Sequence, residues 1–235
     1  NLGNNNAASD TASFGTGPVT NYGTLVIDKA ATVSAANGTI ANSISGPGNL
    51  TINRGVITLS GINTYSGDTT VPAATLRAGS ASSFSADSRI VLNNAASILS
   101  LNGFNSSVAA LNGTQVAAQV QLGANSLTLT GSDAARSGTN NQLLSQTPQV
   151  YQGIISGAGG LVKNGAYTQQ LTGTGALSYT GSTTVNNGTL QVSKAMSTNS
   201  LTVNGGAFIA DAGATLNSAT ALSMTGGTVT INAAS

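Results

Sequence analysis

Ser178-Tyr-Thr-Gly-Ser-Thr-Thr-Val-Asn-Asn-Gly-Thr-Leu190 repeats, with few changes, Thr64-Tyr-Ser-Gly-Asp-Thr-Thr-Val-Pro-Ala-Ala-Thr-Leu76. The copies lie 114 residues apart, from position 64 to position 178. Just upstream, Ile44-Ser-Gly-Pro-Gly-Asn-Leu50 recurs as Ile155-Ser-Gly-Ala-Gly-Gly-Leu161, 111 residues on. Weaker echoes continue, such as Ile90-Val-Leu92 with Leu201-Thr-Val203. Long segments recurring in order are the mark of a solenoid, in which each unit buries its apolar face only by stacking on its neighbours.

Within each copy the unit is a short strand in which one apolar residue alternates with one Thr, Ser or Gln, as in Leu50-Thr-Ile52, Ile57-Thr-Leu59, Leu127-Thr-Leu129 and Leu190-Gln-Val192. That period of two buries one face and wets the other. Asn37-Gly38, Asn102-Gly103, Asn112-Gly113, Asn187-Gly188, Asn204-Gly205 and Gly226-Gly227 read as the tight corners between strands. Asn-Gly between alternating runs is also a hairpin signal, so a sandwich or barrel competes with the solenoid. The ordered repeats favour the solenoid. No helix is expected, since the Ala- and Gln-rich stretch from Val108 to Val120 is interrupted by Asn112-Gly113.

Composition agrees with stacking. Of 235 residues 40% are hydrophobic, enough for a core, but only 6% are charged, against roughly 25% in an ordinary soluble domain. Like residues stacked in register would set equal charges about 4.8 Å apart, whereas Asn, Ser and Thr can hydrogen-bond along such a ladder. At roughly 20 to 25 residues per coil the chain makes about ten coils and a rod about 50 Å long. We expect an all-β fold, a parallel β-helix forming one continuous solenoid, with N-terminal coils in 1–43, a first repeat block in 44–154 and a second in 155–235.

The same composition excludes most chemistry. Seven Lys or Arg against six Asp, scattered along the chain, offer no field for nucleic acid or an anionic membrane. No run of apolar residues is long enough to insert into a bilayer. There is no His, Cys or Glu, so a Ser-His-Asp triad, a Cys-His pair and a His-based zinc site are impossible. Paired-carboxylate hydrolysis would depend on Asp10, Asp28, Asp68, Asp87, Asp133 and Asp211, which are widely spaced. Catalytic, cofactor and metal residues are therefore expected to be none. Asp68 and Arg77 flank the first Thr-Thr-Val strand and could pair across a coil as a solvated ion pair. Gly205-Gly206 and Gly226-Gly227 lack the Asp that glycine-rich calcium repeats need. Gly46-Pro-Gly48 and Gly157-Ala-Gly159 lack the Lys and helix of a phosphate loop. Asn37-Gly-Thr39, Asn112-Gly-Thr114 and Asn187-Gly-Thr189 match the glycosylation sequon, a pattern that Asn-rich sequence generates by chance. Asn1 opens a polar stretch without Met or an apolar leader, as a processed fragment would.

The residues from Ile155-Ser-Gly-Ala-Gly-Gly-Leu-Val-Lys-Asn-Gly165 to Tyr179-Thr-Gly-Ser-Thr-Thr-Val185 and Gly188-Thr-Leu190, with Ile62-Asn-Thr-Tyr-Ser-Gly-Asp-Thr-Thr-Val71, resemble the passenger-associated repeat of autotransporters, proteins of the Gram-negative type V secretion route. The first copy departs from it at Asn53-Arg54 and Ala73-Ala74. The resemblance implies a right-handed parallel β-helix at the cell surface or secreted, in proteins that are adhesins, self-associating antigens or toxins. It marks Tyr65, Gly67, Thr69, Thr70, Val71 and Leu76 in one copy and Tyr179, Gly181, Thr183, Thr184, Val185 and Leu190 in the other as structural repeat positions. Each Tyr is expected to pack at a coil corner with its hydroxyl exposed. The implied partners are a host-cell surface, matrix protein or glycan, or a second copy, met by a polar ladder of Asn, Ser and Thr. Against this stand a non-binding spacer that aids secretion of a separate effector, and a carbohydrate-active β-helix.

Overall fold

A computed structural model describes residues 14–29, 37–131, 144 and 147–232. The chain winds into a β-solenoid with three sides per coil, and all the strand pairs are parallel. The first coil carries β1 (Val19–Thr20), β2 (Thr24–Asp28) and β3 (Asn37–Ile40), and the second β4 (Ile44–Ser45), β5 (Asn49–Arg54) and β6 (Val56–Leu59). The third contributes β7 (Thr69–Thr70) and β8 (Thr75–Ala78), the fourth β9 (Arg89–Val91) and β10 (Ile98–Ser100). The fifth has β11 (Ser106–Val108), β12 (Ala110–Asn112) and β13 (Gln119–Gly123), the sixth β14 (Leu127–Leu129), β15 (Gln149–Tyr151) and β16 (Ile154–Gly157). The seventh has β17 (Leu161–Lys163) and β18 (Thr168–Leu171), the eighth β19 (Ser182–Val185) and β20 (Thr189–Val192), the ninth β21 (Ser200–Val203) and β22 (Ala207–Ala210). A tenth, two-sided coil carries β23 (Ala221–Met224) and β24 (Thr228–Ile231).

Alternation places each apolar residue over its equivalent in the coil below. On the first side Ser106, Leu127, Leu161, Thr183, Leu201 and Leu222 form one column. On the second, Leu25, Leu50, Thr69, Ile90 and Leu111 stack in register. On the third, Ile57, Leu76, Leu99, Val120 and Ile155 do so, and single bridges carry that column on through Leu177, Met196 and Leu216. Burying an aliphatic side chain of this size removes it from water at a gain of about 1.5–3 kcal/mol. A coil supplies several such residues and is held only by its neighbours.

The second side is interrupted between β12 and β15, where only Gly113 and Tyr151 bridge. The Gln169 side chain substitutes for the missing ladder. Its Nε2 donates to Leu111 O (2.9 Å) and Gln149 O (2.8 Å), and its Oε1 accepts from Leu111 N–H (3.1 Å). These are the pairings a buried backbone must otherwise find in a strand.

One local expectation changes. Asn37-Gly38 is no corner: it opens β3 and pairs with Val56 and Ile57. A Cβ on Gly38 would lie 3.3 Å from both Ile57 Cδ1 and Lys29 Cε, so the glycine makes room for the lysine stem. The spacing between the repeat blocks is not a whole number of coils. Ile44 lies on the first side of the second coil and Ile155 on the third side of the sixth, four coils and two sides away. The second copy is thus displaced by one side, and Tyr179 does not share a column with Tyr65. A three-sided solenoid tolerates this because all three sides require the same alternating strand.

Candidate binding surface

The repeat residues build the same buried relay twice. Thr69 and Thr183 face inward within aliphatic columns, where an unpaired hydroxyl is costly. Tyr65 Oη lies 2.7 Å from Thr69 Oγ1, which lies 2.7 Å from Ser88 Oγ in the next coil, and Ser88 donates to Gly67 O (2.7 Å). In the second copy Tyr179 Oη lies 2.6 Å from Thr183 Oγ1, Thr183 donates to Thr198 Oγ1 (3.1 Å), and Thr198 donates to Gly181 O (2.6 Å). Contrary to the exposed hydroxyls expected from sequence, both tyrosines are fully enclosed. The reason is the inward Thr four residues on, whose hydroxyl pairs with the ring's polar end on one side and with a hydroxyl of the next coil on the other. Burial pushes the Tyr65 hydroxyl up to about 12 and the Tyr179 hydroxyl further.

Gly67 and Gly181 sit where the corner passes close to the coil below. A Cβ at Gly67 would fall 2.2 Å from Gly48 O, and one at Gly181 2.4 Å from Gly159 O. Val71, Leu76, Val185 and Leu190 are buried, while Thr70 and Thr184 are the outward residues of β7 and β19. Asp68 does not meet Arg77. It pairs with Arg89 through Oδ2 and Nη2 at 2.5 Å, and Arg89 also donates to Gln149 Oε1 (3.2 Å). Arg89 starts the strand stacked on β7, whereas Arg77 lies one corner away on the third side. Among the described residues no three acidic side chains converge to hold a metal ion. Asp10 and Asp133 lie outside those residues.

On the outer surface the first side of coils seven to ten carries a continuous amide ladder. Asn186 Nδ2 donates to Asn164 Oδ1 (2.7 Å), Asn204 Nδ2 to Asn186 Oδ1 (2.7 Å), and Thr225 Oγ1 to Asn204 Oδ1 (2.8 Å). All four residues are exposed. Beside the ladder run Thr128, Val162, Thr184, Thr202 and Ser223 in register, so the surface is flat, regular and uncharged. A second ladder on the second side joins Gln170 to Gln191 (2.8 Å), Gln191 to Asp211 (2.6 Å) and Asn232 to Asp211 (2.9 Å). The individual ladder residues were not singled out from sequence. Their signal was the Asn or Thr that follows the second inward residue in Lys163-Asn164, Val185-Asn186, Val203-Asn204 and Met224-Thr225.

Sequence reasoning also missed a cation inside the core. Lys163 occupies the inward phase of β17, between Leu129 and Val185, and is fully buried. Its Nζ donates to Gly165 O and Asn187 O and lies 4.0 Å from the centroid of the Tyr167 ring. Its acceptors are carbonyls rather than a carboxylate, and burial pulls the ammonium down to about 7. Lys194 is treated similarly, with Nζ donating to Gly153 O (2.8 Å) and Gln152 O (3.2 Å) and its ammonium lowered to about 8 by burial.

Residues 45–78 and 161–192 match the family model of the passenger-associated-transport-repeat. The chain therefore carries two passenger-associated transport repeats. The matched spans cover both Tyr-Thr relays, Lys163 and the first two rungs of the amide ladder. The repeat-bearing chain is 42% identical over 138 residues to the adhesin BmaC autotransporter of Brucella suis biovar 1 (strain 1330). The aligned region is 58% of this chain and 4% of that protein. No solved structure matches the chain. Both matches indicate a surface-exposed or secreted, extracellular location.

Proposed function

We propose that this segment is a non-catalytic adhesive or self-associating scaffold within a longer passenger. The observation that carries the reading is the exposed, in-register amide and hydroxyl ladder from Asn164 to Thr225. A rigid row of paired donors and acceptors suits an uncharged partner, either a glycan or matrix protein on a host surface or the ladder of a second copy. Direct hydrogen bonds across such a face add specificity, each group exchanging its bonds to water for bonds to the partner. The similar relative is named as an adhesin, which supports the reading.

The test displays the passenger on bacteria and replaces Thr184 and Thr202, both outward residues beside the ladder, with Asp. Clumping of cells and attachment to host cells or matrix are scored per displayed molecule. The substitutions remove two hydroxyl donors and add carboxylates that an uncharged partner would have to desolvate, so both scores per displayed molecule should fall. The competing reading, a spacer that maintains secretion, is favoured by the regular stacking itself. On that reading the double variant leaves attachment unchanged, and deleting Ile155 to Val192 lowers export instead.

A further inference from the structure

Six Asn-Gly pairs occur in the chain, at Asn37, Asn102, Asn112, Asn164, Asn187 and Asn204. The sequence treats them alike and the structure does not. At Asn37-Gly38 both residues are paired in β3. The N–H groups of Gly113 and Gly165 are committed to Val150 O and Leu129 O, each at 2.9 Å. Asn102 holds its Nδ2 on Ala78 O (2.9 Å), and Asn204 has both ends of its amide tied into the ladder.

Asn187 differs in what the N–H of the following glycine meets. It is exposed, at the corner between β19 and β20. The N–H of Gly188 donates to Asn187 Oδ1 at 2.8 Å, so the next residue's main-chain nitrogen already rests against the carboxamide. Its backbone is held in place, because Asn187 N–H donates to Lys163 O (3.3 Å) and Asn187 O accepts from Lys163 Nζ (3.4 Å). Gly188 has φ +64°, a left-handed conformation that glycine adopts without strain, and it puts no side chain in the path of attack. Reacting atoms held close in a fixed orientation lose much of the entropic barrier to a ring closure.

We propose that Asn187-Gly188 is a self-modification site, at which Asn187 deamidates through a succinimide. Gly188 N gives up its proton to water or hydroxide and bonds Asn187 Cγ. The Cγ–Nδ2 bond breaks, and ammonia leaves with that proton equivalent. Water then opens the ring at either carbonyl, leaving aspartate or isoaspartate. The balance is one water consumed and one ammonia released. The product sets a carboxylate beside Asn186, in the middle of the amide ladder, and close to the buried Lys163 ammonium. Its effect is a slow, one-way gain of one negative charge on a face that is otherwise uncharged.

The experiment incubates the 235-residue chain folded in neutral buffer at physiological temperature, and in parallel unfolded in urea. Peptide mapping by mass spectrometry then separates Asn, Asp and isoaspartate at each of the six pairs. Folded, Asn187 should convert ahead of the other five by about tenfold, and the lead should collapse in urea. Asn187→Gln should remove the corresponding acidic charge variant on isoelectric focusing. The proposal is overturned if another Asn-Gly pair leads in the folded chain, if Asn187 does not convert, or if its lead persists in urea. Persistence would assign the rate to local sequence rather than to the fold.

Discussion

The two copies of the repeat build the same tyrosine relay and disagree about where to put a basic residue. In the first, Leu50-Thr-Ile52 keeps an isoleucine in the core, and the chain inserts an extra residue so that Arg54 lands outside. The register slips there between β2 and β5, bringing Arg54 opposite Asp28, with Nε–Oδ1 at 2.7 Å. In the second, Leu161-Val-Lys163 has no extra residue, and the lysine turns inward onto main-chain carbonyls and the Tyr167 face. One solution is a bulge with a half-solvated ion pair. The other is a buried cation without a counter-ion, tolerable because the corner supplies carbonyls and an aromatic face.

Exchanging the two solutions should separate site from residue type, and the largest effect is expected from Ile52→Lys. Ile52 stacks on Ile27 and is fully buried. An uncompensated charge there should cost roughly 3–5 kcal/mol, read as a lowered urea midpoint and faster amide exchange in coils one to three. If Ile52→Lys is as stable as the parent, any corner of the solenoid accepts a cation, and the Lys163 cradle is nothing special.

The reverse exchange, Lys163→Met, should stabilise by roughly 1–4 kcal/mol at neutral pH, since well-packed apolar replacements of buried charge often do. It should also change the pH profile. With its folded value near 7 and its ordinary value 10.5, Lys163 binds fewer protons folded than unfolded between those limits. Its stability cost is therefore complete below pH about 7 and is relieved as pH rises from there. Unfolding free energy of the parent should climb from neutral toward pH about 10, above which the unfolded-state tyrosines ionise and reverse the trend. Lys194, lowered to about 8, acts with the same sign. Lys163→Met should accordingly flatten the rise rather than abolish it, and an unchanged slope would mean that Lys163 stays protonated in the fold.

Where the copies agree, substitutions should agree too. Tyr65→Phe and Tyr179→Phe each remove one hydroxyl from a buried relay and keep the ring. Each should lower stability by roughly 1–2 kcal/mol, and by similar amounts despite lying on different sides. A large inequality would show that the side of the solenoid matters to the motif, which the displaced second copy argues against.

The tandem copying and the two-residue alternation made the stacked architecture legible, because both are properties of single residues in order. Three things were not. The one-side displacement of the second copy depends on how many residues each corner consumes, a number that leaves no period in the sequence. The burial of Tyr65 and Tyr179 follows from the inward Thr69 and Thr183, whose direction is fixed only once the register is known. Lys163 was readable in principle, since Leu161-Val-Lys163 puts it in the apolar phase. Habit assigns lysine to solvent, and only the carbonyls of Gly165 and Asn187, brought together by stacking, explain the exception.

The smallest effect separates the copies from the other direction. Arg54 in its bulge is 39% exposed and Asp28 19%, and such pairs are screened by salt and contribute little. The Arg54 hydrogen bond nonetheless holds the Asp28 carboxyl below its ordinary value, with a further contribution from Asn53. A depressed carboxyl stabilises the fold above its unfolded value, near 4, and loses that contribution as pH falls through the folded value. Arg54→Ala should leave the melting temperature at neutral pH and high salt nearly unchanged. At low salt the parent should lead slightly, and the lead should vanish on acidification below the carboxylate range. If the difference survives both high salt and acid, the bulge itself, not the ion pair, is what Arg54 supports, and the first copy keeps its arginine outside for shape rather than charge.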